Sequence, residues 1–373
     1  MALATTHHAT GFERDRAHKG RGAALNLEGR FEAWQREAFA DGWRDQFGAE
    51  DESQALRTVV TEERAKSIIT RNDSPDIPFR YSLNPYRGCE HGCVYCFARP
   101  SHAYLGLSPG LDFETRLFAK TNAAALLRAE LSRPGFETDV IAVGVNTDAY
   151  QPCEKKYAIT RDCLAVMSEF NQACGLITKS ALIERDIDLL SDMASRNLVN
   201  VSVSVTTLDP HVSRFMEPRT SAPARRLQTI ERLARAGIPV GVNVAPVIPF
   251  LTDHELETIL ARARDAGAAT AGYILLRLPY ELKDLFRDWL MQHFPLKADH
   301  VMSRVQEMRG GVDNDPNFGS RMVGEGVFAR LLNQRFHKAC DKLGLVSHGQ
   351  GKYRQLDVTQ FAVPGRAVQG SLF

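Results

Sequence analysis

Arg87-Gly88-Cys89-Glu90-His91-Gly92-Cys93-Val94-Tyr95-Cys96-Phe97 gathers three of the chain's seven cysteines into one short stretch. Iron-sulfur clusters are held by Cys thiolates, usually four. Three at a Cys-x3-Cys-x2-Cys spacing therefore suggest a four-iron cluster with one iron left open to a small molecule. Gly88 and Gly92 free the backbone to wrap closely around such a group. Two other readings use the same residues. Cys89, Cys93 and Cys96 with His91 make a Cys3His zinc set, although zinc ligands usually come as two separated pairs and His91 falls awkwardly between the first two cysteines. The cysteines could also be unrelated core residues, a reading the two glycines argue against.

Outward from this stretch the chain alternates between two patterns. Short β-branched runs occur at 81–84, 139–145, 175–178, 199–205, 238–244 and 272–276. Between them, helical periodicity predicts helices over Thr121 to Leu131, Thr160 to Ala173, Glu184 to Arg196, Pro223 to Ala236 and Asp253 to Ala266, with a terminal helix near Phe328 to Leu343. Near-continuous apolar strands alternating with helices indicate a parallel sheet covered on both faces. About six such units are too few to close an eight-stranded barrel, so the expected fold is α/β, a partial (β/α)6 barrel. The expected division is a largely irregular arm over 1–60 with one weak helix around Phe31 to Phe39, the barrel over 61–300, a helical extension over 301–361 and a flexible tail over 362–373.

Parallel barrels carry their ligand chemistry at the carboxyl ends of the strands. Polar residues stand there in this chain: the cysteine loop after the first strand, Asn146-Thr147-Asp148 after the second, Thr178-Lys179-Ser180 after the third and Ser204-Val205-Thr206-Thr207 after the fourth. Each alone reads as ordinary capping or turn chemistry; together they converge on the cysteine end. Lys179 is an ammonium that is costly to bury without an anionic partner and is suited to a ligand carboxylate.

The cysteine spacing, with an aromatic just before the third cysteine, resembles the signature of the radical S-adenosylmethionine superfamily. Ser82 to Cys89, Asn146-Thr147-Asp148, Ile177-Thr178-Lys179, Val203 to Thr206 and Glu217-Pro218-Arg219-Thr220-Ser221 narrow that resemblance to the spore photoproduct lyase-related branch, over roughly residues 60 to 300. The resemblance implies a 4Fe-4S cluster on Cys89, Cys93 and Cys96, with S-adenosylmethionine on its open iron. When reduced, such a cluster cleaves the sulfonium to a 5'-deoxyadenosyl radical, which abstracts hydrogen from a substrate. It further implies that Thr147, Lys179 and Ser204 contact S-adenosylmethionine, Thr147 standing where the lyase has a serine; Tyr95, within the cysteine loop, is placed to set its ring or backbone against the adenine. Two residues before Thr147 the lyase uses a cysteine as hydrogen-atom donor and this chain has Val145, which speaks against the spore-photoproduct reaction itself.

Composition agrees with an enzyme of the cell interior. The chain has 373 residues, 44% hydrophobic content and a formal net charge of +1, enough for a large core and without a global basic field. Seven cysteines without disulfide-like spacing suit a reducing cytoplasm, and neither a membrane-spanning run nor a signal-peptide core is present. The expected function is a radical S-adenosylmethionine enzyme fed by an external electron donor, with an unidentified substrate and nucleic-acid modification or DNA repair as its setting. The competing class is a non-enzymatic zinc or iron-sulfur protein that recruits partners to DNA. Asp148 and Glu154 are candidate acids, and Arg225, Arg226, Arg232 and Arg235 line up as a candidate phosphate-facing stripe. The terminal Gln369-Gly370-Ser371-Leu372-Phe373 resembles the peptide with which bacterial replication and repair proteins dock on the sliding clamp, Gln369 orienting and Leu372 and Phe373 filling a pocket.

Overall fold

The structure is a computed structural model that describes residues 18–31, 56–347 and 355–365. The arm helix expected beyond Phe31 and the terminal clamp-like peptide lie outside the described residues.

Six parallel strands lie side by side in chain order: β1 (Tyr81–Leu83), β2 (Ile141–Val143), β3 (Cys174–Thr178), β4 (Val199–Ser204), β5 (Val240–Val247) and β6 (Thr270–Leu275). Ile69–Arg71 adds an antiparallel edge beside β1 and Val346–Ser347 a parallel one beside β6, completing an open eight-stranded sheet. Its two edges do not pair with each other, as a partial barrel requires. Every strand core is apolar: Val199, Val201 and Val203 of β4 are buried, as are Cys174 and Leu176 of β3. Intervening helices cover the outer face. Ile159–Glu169 presents Cys163, Leu164 and Met167 to the core, and Pro223–Arg235 opens on a first-turn proline and buries Ile230 and Leu233.

Two features escaped the hydrophobic pattern. A small second sheet pairs Val59–Glu63 with Arg116–Lys120 and that strand with Tyr86–Arg87, so it grips the chain on both sides of the cysteine loop. Helices Leu282–His293 and Pro295–Glu307, the latter running across residue 300, form a separate apolar cluster with Val94, Tyr95 and Met216. The loop is thereby walled on the side away from the main core. Beyond helix Gly326–Leu343 the chain returns along the barrel, where Ala362 N donates to Phe170 O (3.0 Å) and Phe361 packs on Phe136 and Phe170. Among the described residues no helix is long and apolar enough to cross a membrane.

Candidate active site

The cysteine loop leaves the carboxyl end of β1 and folds on itself. Gly88 and Gly92 adopt φ of +72° and +66°, and a Cβ on Gly88 would lie 2.7 Å from Leu117 Cδ2 and 2.9 Å from the Phe113 carbonyl oxygen. Only glycine meets both demands. Cys89 N donates to Phe113 O (2.9 Å) and Cys96 N to Cys93 O (3.2 Å), which fixes the loop's shape. All three cysteines are free thiols, with Cys89 and Cys93 buried and Cys96 partly exposed. Burial pushes the Cys89 thiol well above its ordinary value, with Asp148 and the other two thiols adding to the effect. Burial likewise pushes Cys93 up to about 12, against the opposing pull of the Lys179 ammonium.

Three of the four residues expected to hold S-adenosylmethionine stand at successive strand ends around this loop. Thr147, past β2, is buried and its hydroxyl donates to the Tyr86 carbonyl (3.1 Å). Lys179, past β3, carries its Nζ to 5.7 Å from the centre of the Tyr95 ring. That ammonium makes no hydrogen bond or ion pair with a described residue. Burial works to discharge it, but Cys93 and Glu217 outweigh burial and hold its pKa above the ordinary value. Ser204 closes β4 and is 3% exposed. The fourth residue, Tyr95, is anchored from behind: its hydroxyl donates to Glu217 and lies 3.2 Å from Thr206 Oγ1.

Sequence reasoning named Glu217 and Arg226 but missed their place behind Tyr95. Both side chains are fully buried and paired with each other, and Arg226 also donates to the carbonyls of Ser204 (3.1 Å) and Ser221 (2.6 Å). Burial works to raise the Glu217 pKa, but Arg226 and Lys179 keep it below the usual carboxylate range. The result is a chain of contacts from helix Pro223–Arg235 through Glu217 to the ring of Tyr95. A signal for Arg226 was present: it shares the spacing of Thr229, Ile230 and Leu233 on the helix's buried face.

The expected phosphate-facing stripe is therefore corrected. Arg226 points inward, Arg225 and Arg232 are both paired with Glu184 (2.6 and 2.7 Å), and Arg235 is paired with Glu231 (2.5 Å). Neither candidate acid is free. Glu154 accepts from Tyr86, Arg185 and Thr160 N. Asp148 accepts from Thr178 Oγ1 (2.7 Å), Lys179 N (2.8 Å) and Tyr150 N (2.9 Å) and stands 3.3 Å from His91 Nδ1. Burial works to raise its pKa, yet His91 and these donors bring it to about 2. Asp148 is a fixed anion that ties β2, β3 and the cysteine loop together.

The sequence model of the Radical SAM superfamily matches residues 83–263. An uncharacterized protein of Mycobacterium tuberculosis is 39% identical over 234 residues, which are 62% of this chain and 68% of that protein. The chain belongs to the radical SAM superfamily. It is an enzyme of the radical-SAM type. An uncharacterized archaeal relative from Methanocaldococcus jannaschii is 24% identical over 226 residues, 61% of this chain and 81% of that protein. Spore photoproduct lyase complexed with dinucleoside spore photoproduct shares the fold with a TM-score of 0.54 at 15% identity, over 77% of this chain and 81% of the lyase.

Radical-SAM membership implies a 4Fe-4S cluster and S-adenosylmethionine, and the residues of this radical-SAM enzyme fit both. Thiols held neutral by burial become thiolates only against a strong local positive charge, which bound iron supplies. His91, the fourth member of the Cys3His zinc set in the competing reading, has its Nδ1 turned to Asp148 at 3.3 Å. The unpaired Lys179 ammonium, at a strand end beside the loop, fits a ligand carboxylate.

Proposed function

We propose that this radical-SAM enzyme binds a 4Fe-4S cluster through Cys89, Cys93 and Cys96 and S-adenosylmethionine through Tyr95, Thr147, Lys179 and Ser204, and acts on nucleic acid in modification or repair. The single observation that carries the cofactor reading is the Lys179 ammonium, without a hydrogen-bond or ion-pair partner among the described residues and 5.7 Å from the Tyr95 ring at the mouth of the sheet. When bound and reduced, the cluster supplies the electron that cleaves the sulfonium and so delivers a hydrogen-abstracting radical.

The protein's own residues orient and shield. Lys179 offers a charge-assisted hydrogen bond to the methionine carboxylate. Glu217 and Thr206 hold the Tyr95 hydroxyl from behind, so the ring keeps one position for the adenine. Thr147 and Ser204 present hydroxyl oxygens from neighbouring strand ends. Helices Leu282–His293 and Pro295–Glu307 exclude water behind Tyr95. Val145, at the strand end where the lyase places its donor cysteine, cannot return a hydrogen atom from sulfur, so another donor completes any turnover.

An external electron donor, a cytoplasmic setting and docking of Gln369, Leu372 and Phe373 on a sliding clamp belong to the same proposal; a clamp tether would bring the enzyme to DNA without a basic patch. Anaerobic reconstitution with iron and sulfide tests the cofactor reading. The expected result is a brown protein that forms 5'-deoxyadenosine with a reductant and S-adenosylmethionine. A colourless protein carrying one zinc overturns it.

A further inference from the structure

Beyond β6 the chain runs Leu276-Arg277-Leu278-Pro279-Tyr280, and the charges here are not balanced as they are elsewhere. Arg321 is neutralised by Asp76. Arg309 is 3% exposed and donates only to the carbonyls of Ser320 (3.1 Å), Arg321 (2.8 Å) and Leu276 (2.8 Å), leaving its Nε without a partner. Arg277 donates to Met322 Sδ (3.5 Å) and its buried Nε is likewise unpartnered. Neither Arg277 nor Arg309 has an ion pair with a described residue. Burial lowers the pKa of both guanidinium groups, Arg321 adding to the effect on Arg277 and Arg277 to that on Arg309; two such neighbours with no carboxylate bound to either are a costly arrangement unless an anion joins them.

The aromatic surface supplies the second observation. Phe97, which directly follows Cys96, is 51% exposed and lies 5.8 Å from the Arg277 guanidinium. Tyr280 is 61% exposed, is held in a left-handed conformation (φ +53°) and is covered by Arg30 at 3.6 Å. A bulky side chain rarely adopts that backbone region. Exposed rings interleaved with arginines form the kind of surface on which flat, π-rich, anionic ligands stack.

We propose that Arg277, backed by Arg309, is a phosphate subsite and that Phe97 is the stacking platform of a nucleotide unit brought beside the cysteine loop. The ligand class is a nucleobase bearing a phosphate, presented either as a free nucleotide or within a single strand. This deepens the proposed action on nucleic acid and rests on that reading. Arg277 meets the phosphate oxygens through a bidentate fork, while the base lies along Phe97, one residue from the third cysteine.

Fluorescence anisotropy on the reconstituted full-length protein tests the subsite, using labelled ten-nucleotide oligo-dT and oligo-rU. Thymidine 5'-monophosphate, thymidine and a polyglutamate peptide serve as competitors. Expected are binding of a single strand, competition by the monophosphate but not the nucleoside, and at least a tenfold loss for Arg277→Gln with the salt slope reduced by about one phosphate contact. Phe97→Leu should weaken binding without changing that slope. Competition by the free nucleotide equal to that by the strand identifies a nucleotide substrate; strand-selective binding identifies a polymer. Equal affinity of wild type and Arg277→Gln overturns the subsite, as does preferential binding of polyglutamate. 5'-Deoxyadenosine formation is followed in parallel: turnover without nucleotide binding refutes the subsite alone, whereas nucleotide binding without turnover refutes the radical reading.

Discussion

Arg99 and Glu114 form an ion pair with no exposed side-chain surface, and each partner holds a different segment against the cysteine loop. Arg99 donates to the carbonyls of Cys93 (2.8 Å) and Gly92 (3.0 Å). Glu114 accepts from the backbone N-H groups of Gly22 (3.0 Å) and Ala23 (2.9 Å) in the N-terminal strap. The strap approaches so closely that a Cβ on Gly22 would sit 1.9 Å from the Gly92 carbonyl oxygen. One buried pair thus sets both the loop's shape and its cover.

Removing one partner strands the other charge. Arg99→Met is expected to cost about 3–5 kcal/mol, the range for breaking a buried ion pair, and to speed iron loss to a chelator. Urea denaturation of the reconstituted protein measures the first effect, and unchanged stability would show the pair to be dispensable.

Cys89→Ala, Cys93→Ala and Cys96→Ala should each abolish cluster assembly, whereas Cys153→Ala, Cys163→Ala and Cys340→Ala should leave it intact. Iron and sulfide content per chain decides the matter, and a Cys93→Ala protein with full iron would refute the ligand assignment.

Lys179→Ala should weaken S-adenosylmethionine binding by about 1.5–3 kcal/mol, the worth of a hydrogen bond to a charged group. Calorimetry on reconstituted protein reads this directly; equal affinity removes Lys179 from the site.

His102 gives the fold an acid sensitivity. Burial lowers its pKa from 6.5 to about 4, opposed by the bond to the Arg116 carbonyl, so the native ring stays neutral where an unfolded one is protonated. Its stabilising effect is complete above pH 6.5 and is lost as pH falls to about 4, roughly 3 kcal/mol in all. Unfolding midpoints from pH 7 to 4 should fall accordingly, and less steeply in His102→Gln; parallel curves for the two proteins would contradict the assignment.

Deleting Gln369 to Phe373 should abolish capture by an immobilised sliding clamp while leaving iron content unchanged. A truncated protein that still binds the clamp equally well shows that the docking determinant lies elsewhere.

The amino-acid sequence by itself determined the six strands, the helices between them and the cysteine loop. Apolar β-branched runs and 3.6-residue periodicity are local signals, and a parallel sheet buried on both faces writes them strongly. Lys179, Thr147 and Ser204 were legible because strand ends follow from strands. Tertiary structure alone decided the partners. Nothing local pairs Val59–Glu63 with Arg116–Lys120, since Val59–Glu63 buries no residue fully, each strand is only five residues long and the pairing spans distant chain positions. Arg226 and its neighbours look alike as arginines along one helix; Glu184 and Glu217, supplied from elsewhere in the fold, turn three of them into structural ion pairs. Arg277 and Arg309 differ for the converse reason: the fold brings them close together and gives neither a carboxylate. Whether a charge is free depends on what lies within hydrogen-bond reach, and that distance exists only once the chain has folded.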